Sequence, residues 1–158
     1  MNNINSIDIK KIITDSTSNL FATMLSMNLE ESVENQLVHE TDKHFTGCVS
    51  FNGALVNGLL EICITEEFGR IIAARMLDLS PADIKTTQEV LDVLLEICNI
   101  IGGNLKSRLC DAGFLCRIST PSVVDNTIFK PSSQNWVLSE SYMFQYEEHC
   151  FFIRGYLA

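Results

Sequence analysis

The sequence predicts an α+β protein in which long helices pack on one antiparallel sheet, the whole built from two similar α-β-β halves. Three observations carry this. Residues 8–28 and 87–111 repeat their apolar side chains at helical spacing; residues 45–65 and 136–156 each read as two extended runs joined by a short turn; and the order places a helix before β structure twice. A chain of 158 residues fits a single domain covering 1–158. Such a chain buries roughly 70% of its unfolded surface and needs no disulfide or metal to hold it together.

In the first helix, Ile9, Ile12, Ile13, Leu20, Met24 and Met27 recur at steps near three, four and seven, with no Gly or Pro among them. Residues 28–44 are polar and acidic, a loop with room for a short strand. In Phe45–Gly53, Val49 and Phe51 alternate with Cys48, Ser50 and Asn52, and Gly58–Thr65 follows after an Asn- and Gly-containing turn, which reads as a β-hairpin. Apolar residues on both sides of its second strand place that strand centrally in the sheet. A second helix is expected over 66–77, with Thr65 as its cap and two Glu in its first turn. Ser80-Pro81-Ala82-Asp83 makes a short turn with Pro at its first position. Thr86 and Glu89 have the spacing of a capping box at the start of the long helix. Leu115–Ser119 reads as a strand, Ile128-Phe129 as ambiguous, and 136–146 with 150–156 as a closing hairpin turning at Glu147-Glu148-His149. That aromatic-rich hairpin, were one of its strands at an edge, would invite a second copy of the chain.

Composition removes several function classes. With 11 basic and 20 acidic residues the net charge is −9, unfavourable for nucleic acid and for an anionic membrane surface. No run approaches the roughly 18 apolar residues of a membrane span, and the polar amino terminus lacks the apolar core of a signal peptide, so a cytoplasmic location is expected. The six cysteines form no C-x-x-C pair and sit largely in apolar runs, as small core hydrophobes in a reducing compartment do. His39, His44 and His149 have no Cys or acid at metal spacing, and surface positions are expected for them. Neither a G-x-S-x-G elbow nor a phosphate-binding glycine loop is present.

The long helix carries the chemistry, if any is present. Leu91, Leu94, Leu95, Cys98, Ile101, Leu105 and Leu109 form one buried stripe, widened by Val93, Ile97 and Ile100. What remains is a narrow line of Asp92, Glu96, Asn99, Gly103 and Lys106. Two acids and an amide on a rod locked by its other faces make a well-supported site. The same strip also fits a plain solvated face. The pair Gly102-Gly103 costs about 1 kcal/mol per residue relative to Ala, which implies close approach of another backbone, from the same fold or from a partner.

These residues resemble a known family. Asp92-x-x-x-Glu96-x-x-Asn99 with Gly102-Gly103, then Pro121 after a strand, is similar to the signature of the CheC/CheX/FliY chemotaxis phosphatases. Thr46–Gly53 with Gly58-Leu59-Leu60, Ala73–Leu77 and Ile118–Val124 resemble further family segments, so the likeness runs from about residue 10 to the carboxyl end. Members with two sites carry E-x-x-N in both halves. Here the first helix offers Asn19 and Ala22 at those places, so the one-site CheX type is the better match. Asn126 stands where the family pattern has Gly.

The resemblance implies a CheC-like fold and a phosphatase acting on the aspartyl-phosphate of a CheY-like response regulator. It implies Asn99 as the residue orienting the attacking water and Glu96 as an anchor on the receiver's active-site Lys. Asp92 becomes a second contact or merely a solvating acid, and Gly102, Gly103 and Lys106 become partner-facing positions. It further implies a homodimer, and Mg²⁺ on the receiver with no metal or cofactor of this chain's own. A non-catalytic module that docks receivers or scaffolds a signalling complex is the alternative, and a structural domain with no phospho-partner is a third.

Overall fold

The computed structural model describes residues 3–32, 43–125 and 135–158. The sequence expectations for Ile128-Phe129, Asn126 and His39, and for most of the 28–44 loop, lie outside these residues. The elements are α1 (Ile9–Met24), β1 (Glu30–Ser32), β2 (His44–Gly53), β3 (Asn57–Thr65), α2 (Glu66–Met76), α3 (Thr87–Asp111), β4 (Cys116–Ile118), β5 (Ser122–Asp125), β6 (Leu138–Tyr146) and β7 (His149–Leu157), with short 3₁₀ turns at Ile4–Ser6 and Pro81–Asp83.

The strands form one antiparallel sheet in the order β1-β6-β7-β3-β2-β4, with β5 also pairing with β2. The two halves are visible in that order and are interlocked. The strand after α1 joins the β6–β7 hairpin of the second half, and the strands after α3 join the β2–β3 hairpin of the first. Strand β3 is central, between β2 and β7, as its two-sided apolar character predicts. In the closing hairpin β7 is interior; among the described residues Leu138–Tyr142 of β6 pair with no strand on their outer side, and β1 covers Met143–Gln145. That pairing brings together segments more than a hundred residues apart, which no local pattern reports.

Local chemistry accounts for the helix ends. Asp8 caps α1 by accepting from Lys11 N at 2.9 Å, and Thr65 caps α2 by accepting from Phe68 N at 3.1 Å. The capping box of α3 is complete: Glu89 N donates to Thr86 Oγ1 at 3.3 Å, and Thr86 N donates to Glu89 Oε2 at 2.8 Å. These hydrogen bonds, the one from the Thr86 backbone foremost, hold the Glu89 carboxyl below its usual range. Helix α1 stops at Met24 rather than near residue 28, because Ser26 takes a left-handed φ of 52° and Met27 N turns back onto Phe21 O at 2.9 Å. The turn swings Met24 out to solvent while Leu25 and Met27 enter the core.

All three helices pack on one face of the sheet, over Phe45, Val49, Phe51, Leu60, Ile62, Ile64, Phe151, Ile153 and Leu157. Burying each of these side chains contributes roughly 1.5–3 kcal/mol. Among the cysteines, Cys98 and Cys116 are buried and the other four are half-buried, all six as free thiols. His149 is a correction: it is 7% exposed and stacks on Phe68 with ring centroids 5.1 Å apart, an aromatic core position that its polar flanks conceal.

Candidate active site

Helix α3 lies across β2 with its inner arc, Val90, Val93, Leu94, Ile97, Cys98, Ile101, Leu105 and Leu109, fully buried. The helix comes down close because the contact points carry no side chain. A Cβ on Gly47 of β2 would lie 2.5 Å from Cys98 Sγ, and one on Gly102 would lie 2.7 Å from Val49 Cγ2 and 2.9 Å from Ile118 Cδ1. Burial also pushes the Cys98 thiol well above its ordinary pKa, so it has no thiolate character.

The opposite arc presents Asp92, Glu96 and Asn99 to solvent. Gln88 Nε2 donates to Asp92 Oδ1 at 2.7 Å, which fixes the first carboxylate. Among the described residues the side chains of Glu96 and Asn99 have no hydrogen-bond or ion-pair partner, so both are free to engage a ligand. These three residues line an open groove of about 510 Å³ together with Leu95, Ile118, Ser119, Thr120 and Pro121.

The far wall of the groove is the crossing from β4 to β5. Ser119 ties it to β2 twice: Ser119 N donates to Ser50 O at 2.9 Å, and Ser119 Oγ accepts from Ser50 N at 2.9 Å. Further on, Ser122 Oγ and Cys48 Sγ are 3.1 Å apart. The groove therefore has one helical wall from the second half and one strand wall held by the first half's hairpin.

The structure separates the partner-facing candidates. Gly103 is half-buried, with open space where a Cβ would stand, so its backbone is approachable. Gly102 is a correction: it faces the sheet, and Val49 and Ile118 account for its missing side chain without a partner. Lys106 is half-buried outside the groove lining, and its charge acts on the Cys116 thiol, opposing the upward push of burial. Leu95 is a second correction, half-exposed in the groove rather than in the core stripe. It sits about 100° around the helix from Leu94, on the side of Asn99. Sequence reasoning also passed over Ser119 and Thr120 as site residues. Their hydroxyls carry no motif, and only the pairing of β4 and β5 with β2 brings them opposite Asn99. Among the described residues no three His, Cys, Asp or Glu side chains converge on a possible metal position, and no helix is long and apolar enough to cross a membrane.

Known structures share this architecture. The chemotaxis protein CheX from Vibrio vulnificus superposes with a TM-score of 0.78 at 23% identity, covering 96% of this chain and 97% of that one. CheX from Desulfovibrio desulfuricans gives 0.75 at 21% identity, covering 96% and 100%. CheX from Borrelia burgdorferi, solved as a CheX–CheY–BeF₃–Mg²⁺ complex, gives 0.68 at 19% identity, covering 96% and 98%. Comparison with curated protein sequences finds no match. The family model for chemotaxis phosphatase CheX matches residues 45–141, which run from β2 into the first part of β6 and include the whole groove, and the chain belongs to that family.

Proposed function

We propose that this protein hydrolyses the aspartyl-phosphate of a CheY-like response regulator, with Glu96 anchoring the receiver and Asn99 orienting the attacking water. The observation that carries the proposal is the display of Glu96 and Asn99, one turn apart and unpartnered, on a helix whose other side is locked in the core. The Borrelia burgdorferi CheX complex supports it, since that relative binds a CheY carrying beryllofluoride, a tetrahedral stand-in for a phosphoryl group.

Phosphoryl transfer passes through a loose transition state, so positioning and charge complementarity supply most of the catalysis. Water attacks phosphorus opposite the aspartyl oxygen. The P–O bond to that oxygen breaks, its electron pair returns to the receiver carboxylate, and the water's proton leaves with the phosphate or to solvent. A neutral carboxamide holds this water in line without repelling the anionic phosphoryl group, whereas a carboxylate there would repel it. Glu96 suits a charge-assisted hydrogen bond to a receiver Lys, and Asp92 a second polar contact on the same side. Mg²⁺ would belong to the receiver. A homodimer is part of the same proposal, and sedimentation velocity reads it directly.

The test is phosphate release from a phosphorylated CheY-like receiver. Wild type should accelerate release, and Asn99→Ala should lower the rate by about 10²-fold or more while preserving the circular dichroism spectrum. Asn99→Ala at full activity would remove the water-orienting role. Binding of the activated receiver without faster release would favour a docking module.

A further inference from the structure

We propose that Ser119 is a positioning residue for this reaction: its side chain locks a one-residue bulge that holds Thr120 and Pro121 over the groove, facing Asn99. The inference rests on the phosphatase reading and adds to it the wall against which the receiver's phosphorylated loop is aligned.

The bulge is in the register. Phe51 pairs with Ile118 on β4, and Cys48 pairs with Ser122 on β5. Two residues of β2, Val49 and Ser50, therefore face three residues, Ser119, Thr120 and Pro121. An extra residue bends the strand that carries it and re-aims its side chains, and such bulges recur beside active sites. Here the extra residue lies where β4 gives way to β5, and Thr120 and Pro121 line the groove with Asn99.

Ser119 determines where the bulge sits. In a regular antiparallel pair, Ser50 N would donate to the carbonyl of the residue opposite. It donates instead to Ser119 Oγ at 2.9 Å, while Ser119 N still donates to Ser50 O at 2.9 Å. The hydroxyl thus replaces the carbonyl in the ladder, and the Ser119 carbonyl is left out of that rung. Pro121 adds stiffness, because its ring fixes φ and it brings no N–H that would need a ladder partner. Without the hydroxyl, Ser50 N would be left unpaired or would draw in the Ser119 carbonyl, and either result displaces Thr120. A shift of about 1 Å in a positioning wall can cost as much as 10²-fold in rate.

The experiment measures steady-state dephosphorylation of a phosphorylated receiver by wild type, Ser119→Ala, Ser119→Cys, Ser119→Thr and Asn99→Ala. Each variant's thermal midpoint and the hydrogen exchange of the Ser50 amide are measured alongside. Ser119→Ala should lower kcat about tenfold or more, leave KM within about twofold, and speed Ser50 amide exchange, with Ser119→Thr restoring kcat and the exchange rate. Ser119→Cys keeps the shape with a weaker acceptor and should fall between, which preserves the comparison if Ser119→Ala folds poorly. Wild-type kcat in Ser119→Ala, while Asn99→Ala is inactive, would overturn the positioning role and leave the phosphatase reading standing. Loss of kcat that follows the thermal midpoint and is not restored by Ser119→Thr would overturn it as well. Absence of phosphate release by wild type would sink the phosphatase reading, and the positioning role with it.

Discussion

The adjacent glycines of α3 make a controlled pair. Replacing either with alanine removes a mid-helix penalty of about 1 kcal/mol. At Gly103 the new methyl meets no heavy atom within 4 Å, so the gain is realised in full and the variant should be more stable than wild type by about that amount. At Gly102 the methyl would lie 2.7 Å from Val49 Cγ2 and 2.9 Å from Ile118 Cδ1, so the sheet or the helix must shift. Overpacking of this kind costs about 1–3 kcal/mol. The propensity gain is common to both, so the difference between the variants isolates the packing cost: Gly102→Ala should be about 1–3 kcal/mol less stable than Gly103→Ala. Each kcal/mol corresponds to about 2–4 °C in thermal midpoint for a chain of this size. Urea unfolding followed by helical circular dichroism measures the gap, with equal slopes required for the comparison. Equal stabilities would refute the close approach of α3 to β2 at Gly102. Gly103→Ala carries a functional consequence as well. On the proposed docking of a receiver against α3, the added methyl would obstruct its backbone, so the stabilised variant should bind a CheY-like receiver more weakly.

Glu96→Ala should weaken binding of a beryllofluoride-activated receiver as well as turnover. Unchanged affinity by titration calorimetry would remove the anchoring role. On the sheet face away from the helices, Glu61 is half-buried with Oε2 unpartnered among the described residues, and desolvation, opposed by Arg154, raises its pKa to about 7. A carboxyl that holds its proton more tightly when folded contributes stability that is lost as pH rises from the unfolded value of 4.5 through about 7. Glu61→Gln should flatten that part of the stability profile and raise the urea midpoint at pH 8; a wild-type slope in Glu61→Gln would contradict the assignment. Cys98, fully buried on α3, should resist iodoacetamide in the native protein far longer than the half-buried cysteines. Modification at the rate of a free peptide thiol would show that the helix is rotated from its placement here.

Much of the site was legible because it lies on one helix. The period of the apolar residues from Val90 to Leu109 determines which way Asp92, Glu96 and Asn99 point, and the capping box at Thr86 and Glu89 determines where the helix begins. The edges of that buried arc were less legible. Leu95 is as apolar as Leu94 and differs only in angle, and the angle becomes decisive once it is known which side of α3 the sheet occupies. Strand β5 was missed as a separate element because four residues, Ser122–Asp125, carry too little periodicity to be distinguished from a loop. The end of α1 was placed too late because Met27 continues the helical spacing while a left-handed Ser26 has already broken the helix.

By itself the sequence determined the fold class, the caps of α2 and α3, the two hairpins and the outward arc of α3, since each of these is set by residues within a few positions of one another. The tertiary structure alone decided that β1 crosses to β6, that Gly102 belongs to the sheet contact and Gly103 to the open surface, and that Ser119–Pro121 bulge against Asn99. The physical reason is that strand pairing and helix-on-sheet approach are settled by the fit of surfaces distant in the chain. A hydrogen bond from Ser50 to Ser119 leaves no mark on the residues around either partner.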